Sequence, residues 1–339
     1  MILELLPPKH KLKIDSEMLS LISETEKSFA QLDVLSRFLP NQYFSFLKSI
    51  EAINSNNIDY SPAIELEHYL LNKESYKEVE TRLSSLETAI KILKDVKPSR
   101  LIKTLHQEIV AKQNDSGGKF REDFELKNPS RKFIVPQNVV VLMNDLENYL
   151  MSDVSYHPLI NAAIIHAQFE LIHPFNSHNG IVGRQLTQLH FVWKKKLTKT
   201  MLMLSKALLE KKTEYFDKLQ DIATNNNWDG WIKFMLSVFL KASKNSIALL
   251  ETIDSFYRET VSASIKNNFA SPALLKVVEF ISTNPVFTIP LLTSSLSLSK
   301  QTANIILTKL LSEKIILESS GKQRYRIFKN DKIITAINL

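Results

Sequence analysis

Residues 159–172 form a mainly apolar run that stops within three residues, and this junction limits what the middle of the chain can become. Leu159 to Ile172, with Ala162, Ala163, Ile164, Ile165 and Ala167, has the length and alanine content of a buried helix. Pro174, in His173-Pro174-Phe175, ends it, because proline lacks a backbone donor and restricts the residue before it. Asn179-Gly180 supplies a tight turn, and a second helix starts near Val182, with Gly183, Arg184, Leu186, Leu189, Phe191 and Val192 in its opening turns. A histidine at one helix end, a turn and a new helix N-terminus make an anion pocket with a base beside it. Unpaired backbone N–H groups and the positive end of the helix dipole both face the turn.

Length and composition bound the remainder. A chain of 339 residues exceeds one typical core, so two or three domains are expected. Hydrophobic content of 44% with 23% charged residues is ordinary globular material. Only 6 Gly and 12 Pro, with long stretches of helical apolar period, predict a mainly α fold. No charge-free run of about 18 apolar residues exists, so no membrane span is expected. The opening Met-Ile-Leu-Glu-Leu-Leu-Pro-Pro-Lys lacks the basic-then-apolar pattern of a signal peptide. The absence of Cys excludes disulfides and thiolate metal sites and fits a cytoplasmic location. Four segments follow: a helical domain at 1–97, a core at 98–242, a linking helix at 243–270 and a C-terminal module at 271–339. The first segment is expected to hold helices at Ser16–Leu35, Tyr43–Asn54 and Tyr76–Val96; an amphipathic stretch, Phe234–Tyr257, leads out of the core.

The C-terminal module reads as a winged helix-turn-helix. Pro272–Ser282 is its first helix, with Leu274, Leu275, Val278 and Ile281 on one face. Phe287–Pro290 enters a second helix at Leu291–Leu296, and Ser299 caps a third at Lys300–Glu313. Ile315–Leu317 and Tyr325–Phe328, joined by a turn at Ser319–Lys322, make a two-stranded wing. From Ala270 onward nine Lys and Arg face four acids, which is +5 of the chain's net +7. Such a basic helix beside a basic wing is the footprint of DNA-phosphate binding, with candidate contacts Lys300, Gln301, Thr302, Asn304, Lys309, Lys322, Arg324 and Arg326. Docking or dimerisation is the alternative use of such a module.

The central segment His173-Pro-Phe-Asn-Ser-His-Asn-Gly-Ile-Val-Gly-Arg184 resembles the signature loop of the Fic (Fic/Doc) family, H-P-F-x-[Asp/Glu]-G-N-G-R-x-x-R. The resemblance implies a Fic-type helical core with a small β-hairpin flap, binding ATP with Mg²⁺ and transferring AMP to a protein hydroxyl. It implies that His173 is the general base, and that Asn176, Ser177, His178, Asn179, Gly180, Gly183 and Arg184 line the nucleotide phosphates. Ser55-Asn-Asn-Ile-Asp59-Tyr60 is similar to the family's inhibitory helix, whose acidic residue pairs with the second loop Arg and keeps the ATP γ-phosphate out; Ser55 and Asp59 carry that likeness. Lys119, Phe120 and Arg121, with Phe133, Ile134 and Val135, resemble the flap that aligns a target's backbone by β-pairing. Tyr215 matches a residue of the adenine pocket, while Trp228 and Trp231 read as core aromatics.

Three positions depart from that loop. Ser177 stands where the metal-binding carboxylate belongs, His178 replaces a Gly, and Ile181 replaces the first Arg. Phosphoryl-type transfer depends on positioning and charge neutralisation. A hydroxyl is a poor Mg²⁺ ligand, and losing an Arg removes a charge-assisted clamp. Two function classes stay open: a Fic-type adenylyltransferase with a weakened or altered loop and a DNA-binding tail, or an inactive Fic scaffold acting as a transcriptional regulator. The implied partners are ATP or another nucleotide, a target protein or the chain itself, duplex DNA, and a second copy in a homodimer, with no membrane and no dedicated protein metal site.

Overall fold

The computed structural model describes residues 5, 6, 8, 12–111, 117–122, 138–152, 156–321 and 325–338. The expected flap strand at Phe133, Ile134 and Val135 and the wing residues Lys322 and Arg324 lie outside them. Helices dominate: α1 Ser16–Phe38, α2 Asn41–Asp59, α3 Leu66–Leu71, α4 Lys77–Ile92, α5 Pro98–Val110, α6 Val139–Met151, α7 Pro158–Ile172 and α8 Asn179–Trp193. They continue as α9 Leu204–Glu210, α10 Lys212–Asn225, α11 Trp228–Lys266, α12 Pro272–Thr283, α13 Ile289–Leu296, α14 Lys300–Ser312 and α15 Asp331–Asn338. Strands β1 Val286–Thr288, β2 Leu317–Glu318 and β3 Ile327–Lys329 form one antiparallel sheet in the order β1-β3-β2.

The chain divides into two compact units, one of residues 1–34, 48–63 and 77–244 and the other of 35–47, 64–76 and 245–339. The expected boundary at 242 falls within two residues of the division at 244, and no division falls at 97 or 270; α1, α2 and α11 each supply residues to both units. No helix among the described residues is long and apolar enough to cross a membrane.

The first unit is organised around α7. Every residue from Leu159 to Ile172 is buried, including the polar Asn161, His166, Gln168 and Glu170. Pro158 opens it where a missing N–H costs nothing, and the His157 side chain accepts from Leu159 N. Helix α8 packs along it with Asn179 to Phe191 buried. Gly183 lets the two approach: a Cβ there would stand 2.5 Å from Glu170 Oε1 and 3.0 Å from Phe169 Cδ1. Trp231 is fully buried and donates from Nε1 to Ala163 O at 2.8 Å, in keeping with a core aromatic.

In the second unit α12, α13 and α14 pack with the sheet. Phe287 and Phe328 stack between β1 and β3, and Leu274, Val277, Val278 and Ile281 fill the face below. Leu275, expected inward, is 36% exposed, and Val277 takes its place because the helix presents 274, 277, 278 and 281 to the core at the 3-4 spacing. The strands sit slightly off the sequence expectation: Ile289 and Pro290 already belong to α13, and the wing strands pair at Leu317–Glu318 and Ile327–Lys329.

Candidate functional site

The site lies within the first unit, where α7 ends and α8 begins. His173 caps α7 in the left-handed conformation, φ 51°, with its N–H donating to Phe169 O. The loop then runs through Pro174 to His178, which is left-handed again at φ 58° and is the N-cap of α8. The helix therefore begins at Asn179, three residues before the expected Val182, and the first helical bond runs from Val182 N to His178 O at 3.1 Å. The sharp turn belongs to His178; Asn179 and Gly180 are helical. A left-handed backbone favours Gly, since a Cβ there costs about 1 kcal/mol or more.

Neighbouring side chains hold the loop in place. Asn179 clamps it reciprocally, accepting from Phe175 N at 2.8 Å and donating to Phe175 O at 2.7 Å. The Phe175 ring is fully buried and stacks on His106 with centroids 3.9 Å apart. His106 Nδ1 in turn accepts from Gly118 N. Gly118 needs its glycine: its φ is +74° and a Cβ would meet Lys103 O at 2.9 Å. Arg121 was expected to face a target. It is instead 3% exposed and donates Nε to His173 O at 2.8 Å, Nη2 to Ile172 O and its backbone N–H to Pro174 O. The reason is electrostatic: the carbonyls at the end of α7 carry the negative end of the helix dipole and have no helical partners. Lys119 and Phe120 line a shallow groove with Lys103, Glu122 and Val140, and the Lys103 ammonium lies 4.6 Å from the Phe120 ring.

Facing the loop is the C-terminal end of α2. The Ser55–Asp59 stretch, expected as a helix of its own, is the end of this longer one, which runs without a break through Asn54. Arg184 is 1% exposed and donates Nε to Ser55 Oγ, Nη2 to Ser55 O at 2.9 Å and Nη2 to Asp59 Oδ2 at 2.6 Å. Burial disfavours the guanidinium charge, yet Asp59 foremost, with Tyr215 and Glu170, holds its pKa above the ordinary value. Gly180 makes the contact sterically possible, because a Cβ there would stand 2.5 Å from Asp59 Oδ2. The Tyr60 ring lies 5.4 Å from that of His178.

The remaining expected residues fall as follows. Ser177 is buried with its Oγ 2.9 Å from His178 Nδ1, and Asn176 Oδ1 is buried without a hydrogen-bond partner among the described residues. Ile181 is 1% exposed and faces the core. Tyr215 is fully buried with its hydroxyl 2.9 Å from His166 Nε2, so the hydroxyl expected near the base is engaged by an imidazole. Thr187 donates to Gly183 O, which makes its hydroxyl the acceptor for His166 Nδ1–H and leaves Nε2 to accept from Tyr215. Burial, helped by Arg184, pushes His166 down to about 3 and keeps it neutral.

Magnesium asks for anionic oxygens in near-octahedral geometry. Ser177 offers a neutral hydroxyl already paired with an imidazole, and no cluster of three His, Asp or Glu among the described residues is arranged to hold a metal. The loop's own donors do not fit a magnesium site.

In the second unit, Lys300, Gln301 and Asn304 lie exposed on α14. Thr302 closes the helix cap: its N–H donates to Ser299 Oγ at 3.0 Å and the two hydroxyls are 2.9 Å apart. Lys309 is paired with Glu313 at 2.7 Å and lies over the Phe269 ring. Arg326 packs on Phe328 and borders a groove of about 700 Å³ with Asn304, Glu318 and Tyr325.

Sequence reasoning gave no site role to Glu51, Arg82 or His106. Each is one buried polar residue within an amphipathic helix, and no spacing sets it apart from a solvated one. Comparison with solved structures gives the same overall fold. A Fic family protein from Desulfovibrio desulfuricans G20 superposes with a TM-score of 0.59 at 19% identity, covering 96% of this chain and 98% of that one. A Fic-domain-containing signaling protein from Bacteroides thetaiotaomicron VPI-5482 superposes with a TM-score of 0.52 at 18% identity, covering 70% of this chain and 98% of that one. Residues 97–191, the stretch from the start of α5 through the loop to the last turn of α8, match the Fic/DOC family.

Proposed function

We propose that the first unit is a nucleotidyltransferase of the Fic type, held closed by its own α2, that moves a nucleoside monophosphate from a triphosphate onto a protein hydroxyl. The observation that carries this reading is the Arg184–Asp59 pair at 2.6 Å, in which the guanidinium is buried and the carboxylate part-exposed. Burying the guanidinium costs desolvation that offsets much of the attraction, so the pair is a poor source of net stability. A clamp on the one loop arginine makes sense where that arginine would otherwise engage an anion. His173 stands at the α7 terminus as the base: it takes the proton of the target hydroxyl, the oxygen bonds to the α-phosphorus, and pyrophosphate leaves with the electrons of the broken bridge bond. The first-turn N–H groups of α8 bind phosphate oxygens. Without a carboxylate at Ser177 and with Ile181 in the core, transfer is slow.

The test is self-labelling with ATP radiolabelled at the α-phosphate, in Mg²⁺ or Mn²⁺ buffer. Asp59→Ala should raise incorporation at least tenfold, and adding His173→Ala should abolish it. If Asp59→Ala incorporates nothing above background, the second reading stands, a scaffold that regulates through its C-terminal module. That module we read as a winged helix binding duplex DNA, on the strength of Lys300, Gln301 and Asn304 lying exposed on α14 with Arg326 on the neighbouring strand side.

A further inference from the structure

Arg82 belongs to no motif of the loop or the clamp. It lies on α4, 3% exposed, and among the described residues its guanidinium has one hydrogen bond, from Nη2 to Asn56 Oδ1 at 2.8 Å. Its Nε and Nη1 are buried with no hydrogen-bond partner among the described residues. A guanidinium so enclosed without a carboxylate bound to it is an unfavourable arrangement that an arriving anion relieves. Burial, the largest cause, holds its pKa down to about 10.

Its position joins it to the clamp. Asn56 is on the last turns of α2, beside Ser55 and three residues before Asp59. The Arg82 carbonyl accepts from Gln185 Nε2 at 2.8 Å, which ties this turn of α4 to the residue after Arg184. The charges and titratable groups acting on Arg82 are Glu78 from its own helix, Tyr60 and Asp59 from the end of α2, and Arg184 from α8. Arg184 also has a buried nitrogen, Nη1, without a hydrogen-bond partner among the described residues, and it lies 2.8 Å from where a Cβ on Gly180 would stand. Two guanidiniums thus lie within electrostatic reach of one carboxylate, and each keeps unmet N–H donors.

We propose that Arg82, from α4, joins Arg184 on the terminal phosphate of a nucleoside triphosphate when the Asp59 carboxylate withdraws, supplying the cation that the loop lacks at Ile181; the part of Arg184 is the one the resemblance to the Fic loop already implies. This rests on the nucleotide-binding reading above. Two planar forks can hold one phosphate through several charge-assisted hydrogen bonds, which a lysine, as a point charge, cannot reproduce.

Calorimetric titration of the full chain with ATP, ADP and inorganic tripolyphosphate tests it, with thermal melting as the fold control. Asp59→Ala should bind ATP and tripolyphosphate, and ATP more tightly than ADP. Adding Arg82→Gln should weaken ATP and tripolyphosphate about tenfold and erase the preference of ATP over ADP; Arg184→Gln should do at least as much. Arg82→Lys, which keeps the charge, should recover only part of the affinity and serves where the Gln variant melts early. Unchanged ATP affinity in the folded Arg82 variants, with loss in Arg184→Gln, overturns the role of Arg82 and leaves the nucleotide site standing. If Asp59→Ala binds none of the three ligands, the nucleotide-binding reading falls and takes this inference with it.

Discussion

His178 and Ile181 pull the loop in opposite directions, and each can be judged from its own backbone and burial. His178 holds φ 58°, where the absence of a Cβ removes strain. His178→Gly should therefore stabilise the fold by up to about 1 kcal/mol, the relief being partly offset by the greater freedom of glycine in the unfolded chain. Ile181 is 1% exposed, so Ile181→Arg places a charge in the core and should destabilise by roughly 3 kcal/mol or more. Restoring the family's loop letter by letter is thus not a simple repair: one change eases the turn and the other disrupts the packing of α8. Urea unfolding midpoints of the two single variants measure this directly. Equal midpoints for parent and Ile181→Arg would mean that the side chain escapes to solvent and that the position is open after all.

At the scale of elements, the clamp is one face of α2 laid along one face of α8. Glu51, Ser55 and Asp59 follow one another at four-residue spacing, and so do Gly180, Arg184 and Gln188. Glu51 accepts from Gln188 Nε2 and Ser205, Ser55 from Arg184, and Asp59 sits over Gly180. At the far end of this stripe, burial lifts Glu51 to about 7 from an ordinary 4.5, against the donors of Ser205 and Gln188 and the charge of Arg184. A carboxyl whose folded pKa is raised stabilises the fold fully below its unfolded value and loses that contribution as pH rises through the folded one. Stability should therefore fall by roughly 3 kcal/mol between about pH 4.5 and 7 through this group. Glu51→Gln should flatten that fall, as read from denaturant unfolding at pH 5 and 7.5; an unchanged slope would mean Glu51 stays ionised throughout. The legibility of these elements differs for physical reasons. The α7 run and the break at Pro174 were plain in the sequence because an alanine-rich, mainly apolar stretch and a proline each act locally. Ser55, Asp59 and Arg184 could be paired through the family resemblance. The start of α8 was misplaced because Asn-Gly reads as a turn unless one knows that His178 has already taken the left-handed conformation. Arg121 reads as a surface cation, and only the end of α7 beside it explains its burial; Arg82 and Glu51 are hidden for the same reason, since a tertiary partner leaves no mark on the local pattern.

For the molecule as a whole, charge is the property that separates the C-terminal stretch from the rest: of a net +7, +5 falls after residue 269. Charge excess alone supports only non-specific attraction, so which lysines are available decides the outcome. Lys309 is neutralised by Glu313 on its own helix, whereas Lys300 is exposed at the start of α14 and Arg326 borders the groove beside Asn304. On the DNA-binding reading, the full chain should bind random duplex with an affinity that falls linearly in log K against log salt, each phosphate contact adding a slope of about −0.9. Lys300→Glu with Arg326→Glu should flatten the slope by about two units. Lys309→Glu should leave the slope nearly unchanged, because that lysine already has a carboxylate partner. Fluorescence anisotropy with a labelled duplex between low and physiological salt measures all three. A slope that Lys309→Glu flattens as much as the double variant would mean that the Glu313 pair opens on binding and that the contact surface runs further along α14. A salt-insensitive interaction would turn the module into a protein-docking surface, and the exposed Ile305 in the middle of α14 would then be the residue to change next.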